Sequence, residues 1–127
     1  MVQSRTVLNV TDNSGASKVR CIKILGTSRQ YGKAGDLLLV SLIELKKGKA
    51  RKKLVRGELR KAVLVRTKTQ IPTKEGSLIN FGDNAVFLIQ EGHLITSLGS
   101  RIFGPVSKEI YKTIYAPILE NLEGSVI

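Results

Sequence analysis

The sequence predicts a small, mostly antiparallel β-barrel with one long basic loop. Three observations lead there. Six strand-like runs follow one another with short links, the pattern of a small all-β domain. Glycine and short polar turns separate the runs. One 29-residue stretch, residues 46–74, holds twelve basic side chains against Glu58 alone. The chain has 127 residues, which suits a single domain over residues 1–127, since domains are most often about 100–150 residues. Its hydrophobic fraction, 42%, excludes disorder throughout.

Arg5 to Thr11 is the first run. Asp12-Asn13-Ser14-Gly15 then gives a strong turn signal, because Asp, Asn and Ser bond their own backbone and Gly tolerates positive φ. Lys18 to Leu25 is the second run, rich in β-branched residues, with Lys18, Arg20 and Lys23 interleaved. Asp36 to Leu45 is a nearly continuous apolar run, which predicts a strand buried on most sides. Residues 46–59 are the exception among the links and read as a projecting arm or hairpin extension. Arg60 to Lys68 has charged ends and an apolar centre. Ser77 to Phe81 and Asn84 to Gln90 flank Gly82-Asp83 and read as a β-hairpin. A barrel closes its sheet edges and frees its loops for contacts. After residue 106 the pattern changes. Ser107 is an N-cap candidate, and Ile110, Tyr111, Ile114 and Tyr115 have helical spacing. Pro117 ends that helix at about two turns, and the last ten residues, with Glu120 and Glu123, read as a mobile tail.

Charge position narrows the function. The net charge is +11, residues 46–74 alone carry +11, and residues 75–127 carry −3. A basic cluster this dense attracts polyanions, above all a phosphate backbone. Lys46 to Lys53 also fits a nuclear-import pattern. The stretch lacks the Trp, Phe or Leu face of a membrane anchor, and no apolar run approaches the roughly 20 residues of a membrane helix. There is no Trp, and only three Phe and three Tyr; Phe81, Phe87 and Phe103 lie in apolar stretches and read as core. Single-strand binders need exposed rings for base stacking, so contacts to phosphates and to the shape of a folded nucleic acid fit better. The candidate contacts are Asn13, Ser14, Lys18 and Arg20 at the first turn, then Lys46, Lys47, Lys49, Arg51, Lys52, Lys53 and Arg56 on the arm, and Arg60, Lys61, Arg66 and Lys68 beyond it.

Enzyme chemistry has little to stand on. His93 is the one His and reads as a solvated turn residue. Cys21, the one Cys, alternates with apolar neighbours and reads as a small core residue; it allows no internal disulfide, which fits a reducing compartment. No Gly-rich nucleophile turn or third orienting group supports a Cys–His pair. No zinc spacing and no phosphate loop of the G-x-x-x-x-G-K-[ST] type occur, so no cofactor and no metal are expected. Asp12, Asp36, Asp83 and Glu91 sit at turns or strand ends, as structural acids do. A metal-dependent nuclease would gather several of them with basic residues. The start, MVQSRTVLNV, lacks the basic n-region and long apolar stretch of a secretory signal; the expectation is a protein made where it works, or one already processed.

Five stretches, in order, carry a resemblance. They are LNVTDNSGA at 8–16, VRCIKILG at 19–26, KAVLVRTK at 61–68, EGSLINFGDNA at 75–85 and GSRIFGPV at 99–106. Together they resemble ribosomal protein fourteen of the large subunit, a universal family, in its bacterial or organellar type. The resemblance implies a closed five-stranded β-barrel with a hairpin extension and short C-terminal helices. It implies binding to large-subunit ribosomal RNA near the subunit interface, beside neighbouring large-subunit proteins, and a bridge to small-subunit RNA. It also implies a surface for a ribosome-silencing factor, at Ser100 and Arg101 beside IFGPV. No membrane and no small-molecule substrate are implied. Departures exist. Glu75 stands where the family usually has Asp, Asn or Ser, and Phe87 where it has Val. The basic stretch is about three residues longer than usual, and the segment after Glu109 about six shorter. Such divergence suits an organelle gene, a mitochondrial one favoured, with the bacterial cytoplasm as the other setting. The alternative from another class is a free-standing nucleic-acid-binding β-barrel factor of translation.

Overall fold

Alternation within each run decides which side chains turn inward, and the computed structural model of the chain shows the result. It describes residues 2–12, 14–26, 31–45, 54–68, 71–72, 78–79, 83–90, 96–97, 101–106 and 123–126; for 71–72, 78–79, 96–97, 101–106 and 123–126 only the backbone is described. All regular elements among these residues are strands. They are β1 (Val7–Val10), β2 (Ala16–Ile24), β3 (Leu37–Leu45), β4 (Leu59–Arg66), β5 (Ile71–Pro72), β6 (Leu78–Ile79), β7 (Ala85–Gln90), β8 (Thr96–Ser97), β9 (Arg101–Val106) and β10 (Glu123–Val126). The expected helix after Ser107 lies outside the described residues.

β1, β2, β3, β4 and β7 pair in that order, each with the next in antiparallel fashion. A parallel pairing of β1 with β7 then closes a five-stranded barrel. The expectation of a mostly antiparallel barrel is met, with one parallel seam. β8 adds to β7 beyond the seam. β5 pairs with β6, and β10 runs parallel to β9, as separate two-stranded sheets.

Inside the barrel, Leu8, Val19, Cys21, Leu38, Val40, Leu42, Ala62, Leu64, Val86 and Leu88 are wholly buried in one cluster. Burying one such Val or Leu side chain is worth roughly 1.5–3 kcal/mol. The apolar run of β3 resolves into alternation: Leu38, Val40 and Leu42 are buried, while Leu37, Leu39 and Ile43 are half-buried outside. β4 and β7 are buried on both faces. Val63 and Phe87, partners in register, have no exposed surface, nor has Val65. The backbone of β9 comes close to that of β4.

The seam is held by more than its ladder. The Asn9 amide donates to the Asn84 carbonyl at 3.0 Å and the Thr11 amide to the Val86 carbonyl at 2.9 Å. The Leu88 amide donates to Asp12 Oδ2 at 2.9 Å. Upstream, Arg5 takes φ +75°. Val2 and Gly32 exchange backbone hydrogen bonds of 2.9 and 2.5 Å. A Cβ on Gly32 would meet Leu38 Cδ2 at 3.3 Å, so that position has little room for a side chain.

Two expectations are corrected. β6 and β7 are not a hairpin: β6 pairs with β5, while β7 pairs with β4, β1 and β8. Both edges of β7 are taken, and the Gly82-Asp83 signal marks the entry to a central strand. The tail is not wholly without regular structure either, since Glu123–Val126 forms β10 on the edge of β9.

Candidate nucleic-acid interface

The candidate cations sit at two ends of the barrel. β2 starts, β3 ends and β4 starts at the same end, because Ala16 faces Leu45 and Ser41 faces Leu59 in register. This is the arm end. Residues 46–53, with Lys46, Lys47, Lys49, Arg51, Lys52 and Lys53, lie outside the described residues, but both flanks are held. Leu45 packs against the core and Leu54 is buried in it. Beyond Leu54 the chain turns. The Glu58 amide donates to the Val55 carbonyl at 3.1 Å, and the Val55 amide donates to Glu58 Oε2 at 3.3 Å. Gly57, at φ +85°, supplies the left-handed step. Its amide donates to the Leu42 carbonyl at 2.7 Å, and the Leu42 amide to the Glu58 carbonyl at 3.0 Å, which fastens the turn to β3. Arg56 is exposed on it.

At the first turn the candidates divide. Ser14 is wholly buried: its hydroxyl donates to Asp12 Oδ1 at 2.5 Å and its amide to the same oxygen at 3.1 Å. Gly15, at φ +108°, carries the chain into β2. Ser14 therefore serves the corner from within. Asn13 lies outside the described residues. Lys18 and Arg20 are exposed on the outer face of β2, while Val19 and Cys21 between them are wholly buried.

Among the β4 cations, Arg60 sits 2.9 Å from Glu58 Oε1, while its Nε is buried without a hydrogen-bond partner. Lys61 is half-buried in the next position. Arg66 and Lys68 stand at the opposite end of the barrel. Arg66 grips Asp83 with two hydrogen bonds, Nε to Oδ1 at 2.6 Å and Nη2 to Oδ2 at 3.1 Å. Asn9 Nδ2 adds a third, to Oδ2 at 2.9 Å. The Arg66 hydrogen bond first, against the opposing effect of partial burial and with help from Asn9, holds the Asp83 carboxyl below the usual aspartate value. Arg66 thus ties β4 to the entry of β7. Lys68 is exposed, and its amide donates to Asn84 Oδ1 at 2.8 Å. Ser100 lies outside the described residues. Arg101 heads β9, in register with Glu123 of β10.

Lys23 is not among the candidate contacts read from the sequence. It is exposed on β2, in register with Leu39 of β3, which itself faces Lys61 of β4. Its place among alternating apolar residues was the available signal.

A closed five-stranded barrel with clamped basic flanks is the setting in which the sequence matches, over residues 1–123, the family described as ribosomal protein L14p/L23e. The chain belongs to that family. The match spans all five barrel strands, the arm, β9 and the first residue of β10, so it covers the whole fold rather than one motif. The L14p/L23e family is a family of the large ribosomal subunit, and such proteins are typically structural rather than catalytic.

Proposed function

We propose that this chain is a structural constituent of the large ribosomal subunit that binds large-subunit RNA by phosphate and shape contacts near the subunit interface. One observation carries the reading: six cations in the eight residues 46–53 sit between flanks that the barrel core holds at Leu45 and Leu54. Held flanks bring those charges to one end of the barrel, where a polyanion meets them together. Lys18, Arg20 and Arg56 are exposed at or near the same end and extend the surface. Arg60 and Lys61, and at the far end Lys68, supply further charge; Arg66, which holds Asp83, adds its positive charge at that end. Such contacts fix position without reading base sequence.

The experiment is a salt titration of binding to large-subunit RNA fragments. With about six phosphates neutralised, affinity falls about 10³-fold or more between roughly 50 and 200 mM salt. An affinity indifferent to salt sinks the reading. Co-sedimentation with the large subunit through a high-salt wash separates it from a free-standing factor, which washes off.

The finer part of the proposal concerns Ser100 and Arg101. They serve the subunit interface, as contacts for a bridge to small-subunit RNA and for a silencing factor. A bidentate guanidinium suits either a phosphate or a carboxylate. Arg101→Ala leaves incorporation intact and weakens subunit joining or silencing-factor binding; both surviving unchanged removes the role. The divergence at Glu75 and Phe87 favours a ribosome of an organelle, a mitochondrion before others.

A further inference from the structure

The outer face of β1 to β4 carries apolar side chains that phosphate binding does not use. Register sets Val7, Arg20, Ser41 and Leu59 in one row across the four strands, about 14 Å wide at ordinary strand spacing. Lys23, Leu39 and Lys61 form the next row, and Ile22 lies at the irregularity between Cys21 and Lys23. Val7 is 46% exposed, Ile22 42% and Leu59 57%. Single exposed aliphatics are ordinary, but these three share one sheet face with half-buried Leu39, which makes a patch. The outer face of β4 and β7 is the contrast: Val63, Val65 and Phe87 are wholly buried there. The chain covers one side of its barrel and leaves the other in water.

The chemistry of the patch selects its occupant. Aliphatic side chains gain by leaving water only against another apolar surface. RNA offers such a surface chiefly as base faces, which proteins take up by aromatic stacking, and none of these positions is aromatic. Protein interfaces instead set an apolar centre within a polar rim. Here the exposed polar members are cations, Arg20 and Lys23, set among Val7, Ile22 and Leu39, while Ser41 is half-buried. Their carbon stems extend the apolar area while their heads stay wet. We propose that this face docks a neighbouring protein of the particle, one that presents aliphatic side chains edged by carboxylates. The proposal rests on the large-subunit reading above.

The test places a photo-crosslinker on single introduced thiols. Ile22→Cys and Leu59→Cys report on the face, and Lys33→Cys, exposed on another turn, sets the background. Cys21 is wholly buried, and burial pushes its thiol up from the ordinary value, so the label goes to the new thiol. Labelled chains are incorporated into large subunits and irradiated. Both face positions crosslink above background to one protein, on a peptide of net negative charge. Lys23→Glu, at a cation outside the proposed RNA contacts, lowers that yield about fivefold or more, through like-charge contact, while the subunit still incorporates the chain. Crosslinks to ribosomal RNA, to a basic peptide or to nothing above background overturn the proposal, as does a yield unchanged by charge reversal. A wild-type chain that fails to co-sediment with the large subunit overturns the large-subunit reading instead.

Discussion

A buried carboxylate organises the first corner. Asp12 has no exposed surface, accepts from the Ser14 amide and hydroxyl, and accepts from the Leu88 amide across the seam. Asp12→Ala leaves that amide and the Ser14 hydroxyl without their acceptor in the interior, so it costs about 2–4 kcal/mol in chemical denaturation. Ser14→Ala, which removes only the short donor, costs less. At the other end, Asp83 joins Arg66 and Asn9 while about a third of its side chain stays exposed. Asp83→Asn therefore costs only about 1 kcal/mol at neutral pH. The sign of its pH dependence follows from the lowered carboxyl. Its contribution is present above the unfolded aspartate value, about 3.9, and is lost as pH falls through the still lower folded value. Melting curves of wild type and Asp83→Asn thus converge at the acid end; a gap that persists there contradicts the assignment. Residue types were legible at these positions, and partners were not. Polar residues at a turn look alike from sequence, whether they face solvent or the interior, and the fold turns Ser14 inward. Arg66 reads as a phosphate ligand, and its hold on Asp83 shows only in the fold.

Elements were legible where apolar alternation is sustained. All five barrel strands lie at or within about two residues of the runs the sequence marks, because one buried face imposes a period of two. The arm was legible from charge, but its attachment was not: nothing in the sequence distinguishes Leu54, buried at 5% exposure, from Val55, at 64%. Leu54→Ala removes the anchor of the arm's C-terminal flank. It costs about 2–4 kcal/mol, measurable by denaturant titration, and weakens RNA binding while every cation remains. A variant as tight for RNA as wild type, with its stability loss intact, shows that clamping does not matter. The pairing of β5 with β6 and of β9 with β10 was hidden for a physical reason. Strands of two to six residues are too short for a sustained periodic signal, and a parallel partner about 20 residues away leaves no turn motif to find.

The whole molecule divides its labour by face. One outer side of the barrel is covered by its own chain, another keeps Val7, Ile22 and Leu59 in water, and the arm end gathers positive charge. Closed topology was legible in the number and spacing of runs, and the strand that closes it was not, since periodicity gives strands but not neighbours. That seam has a consequence for synthesis. Asp12 and Leu88 are 76 positions apart, and a nascent chain emerges N-terminus first. β1 to β4 can pair in succession as a local meander, yet β1 and β4 each keep a bare edge until residue 90 has left the exit tunnel. Open edges recruit other chains, and late, long-range pairing is slow. During that interval the cationic loop is already out, flanked by an unfinished sheet, so like-charge repulsion between nascent chains guards the edges before closure does. A chain stopped after Gly82 freezes the interval: it carries every arm cation and lacks β7. It stays dispersed at low salt and aggregates as screening grows over about 0.1–0.5 M, by light scattering, whereas the full chain, with its edges joined, is indifferent to the same change.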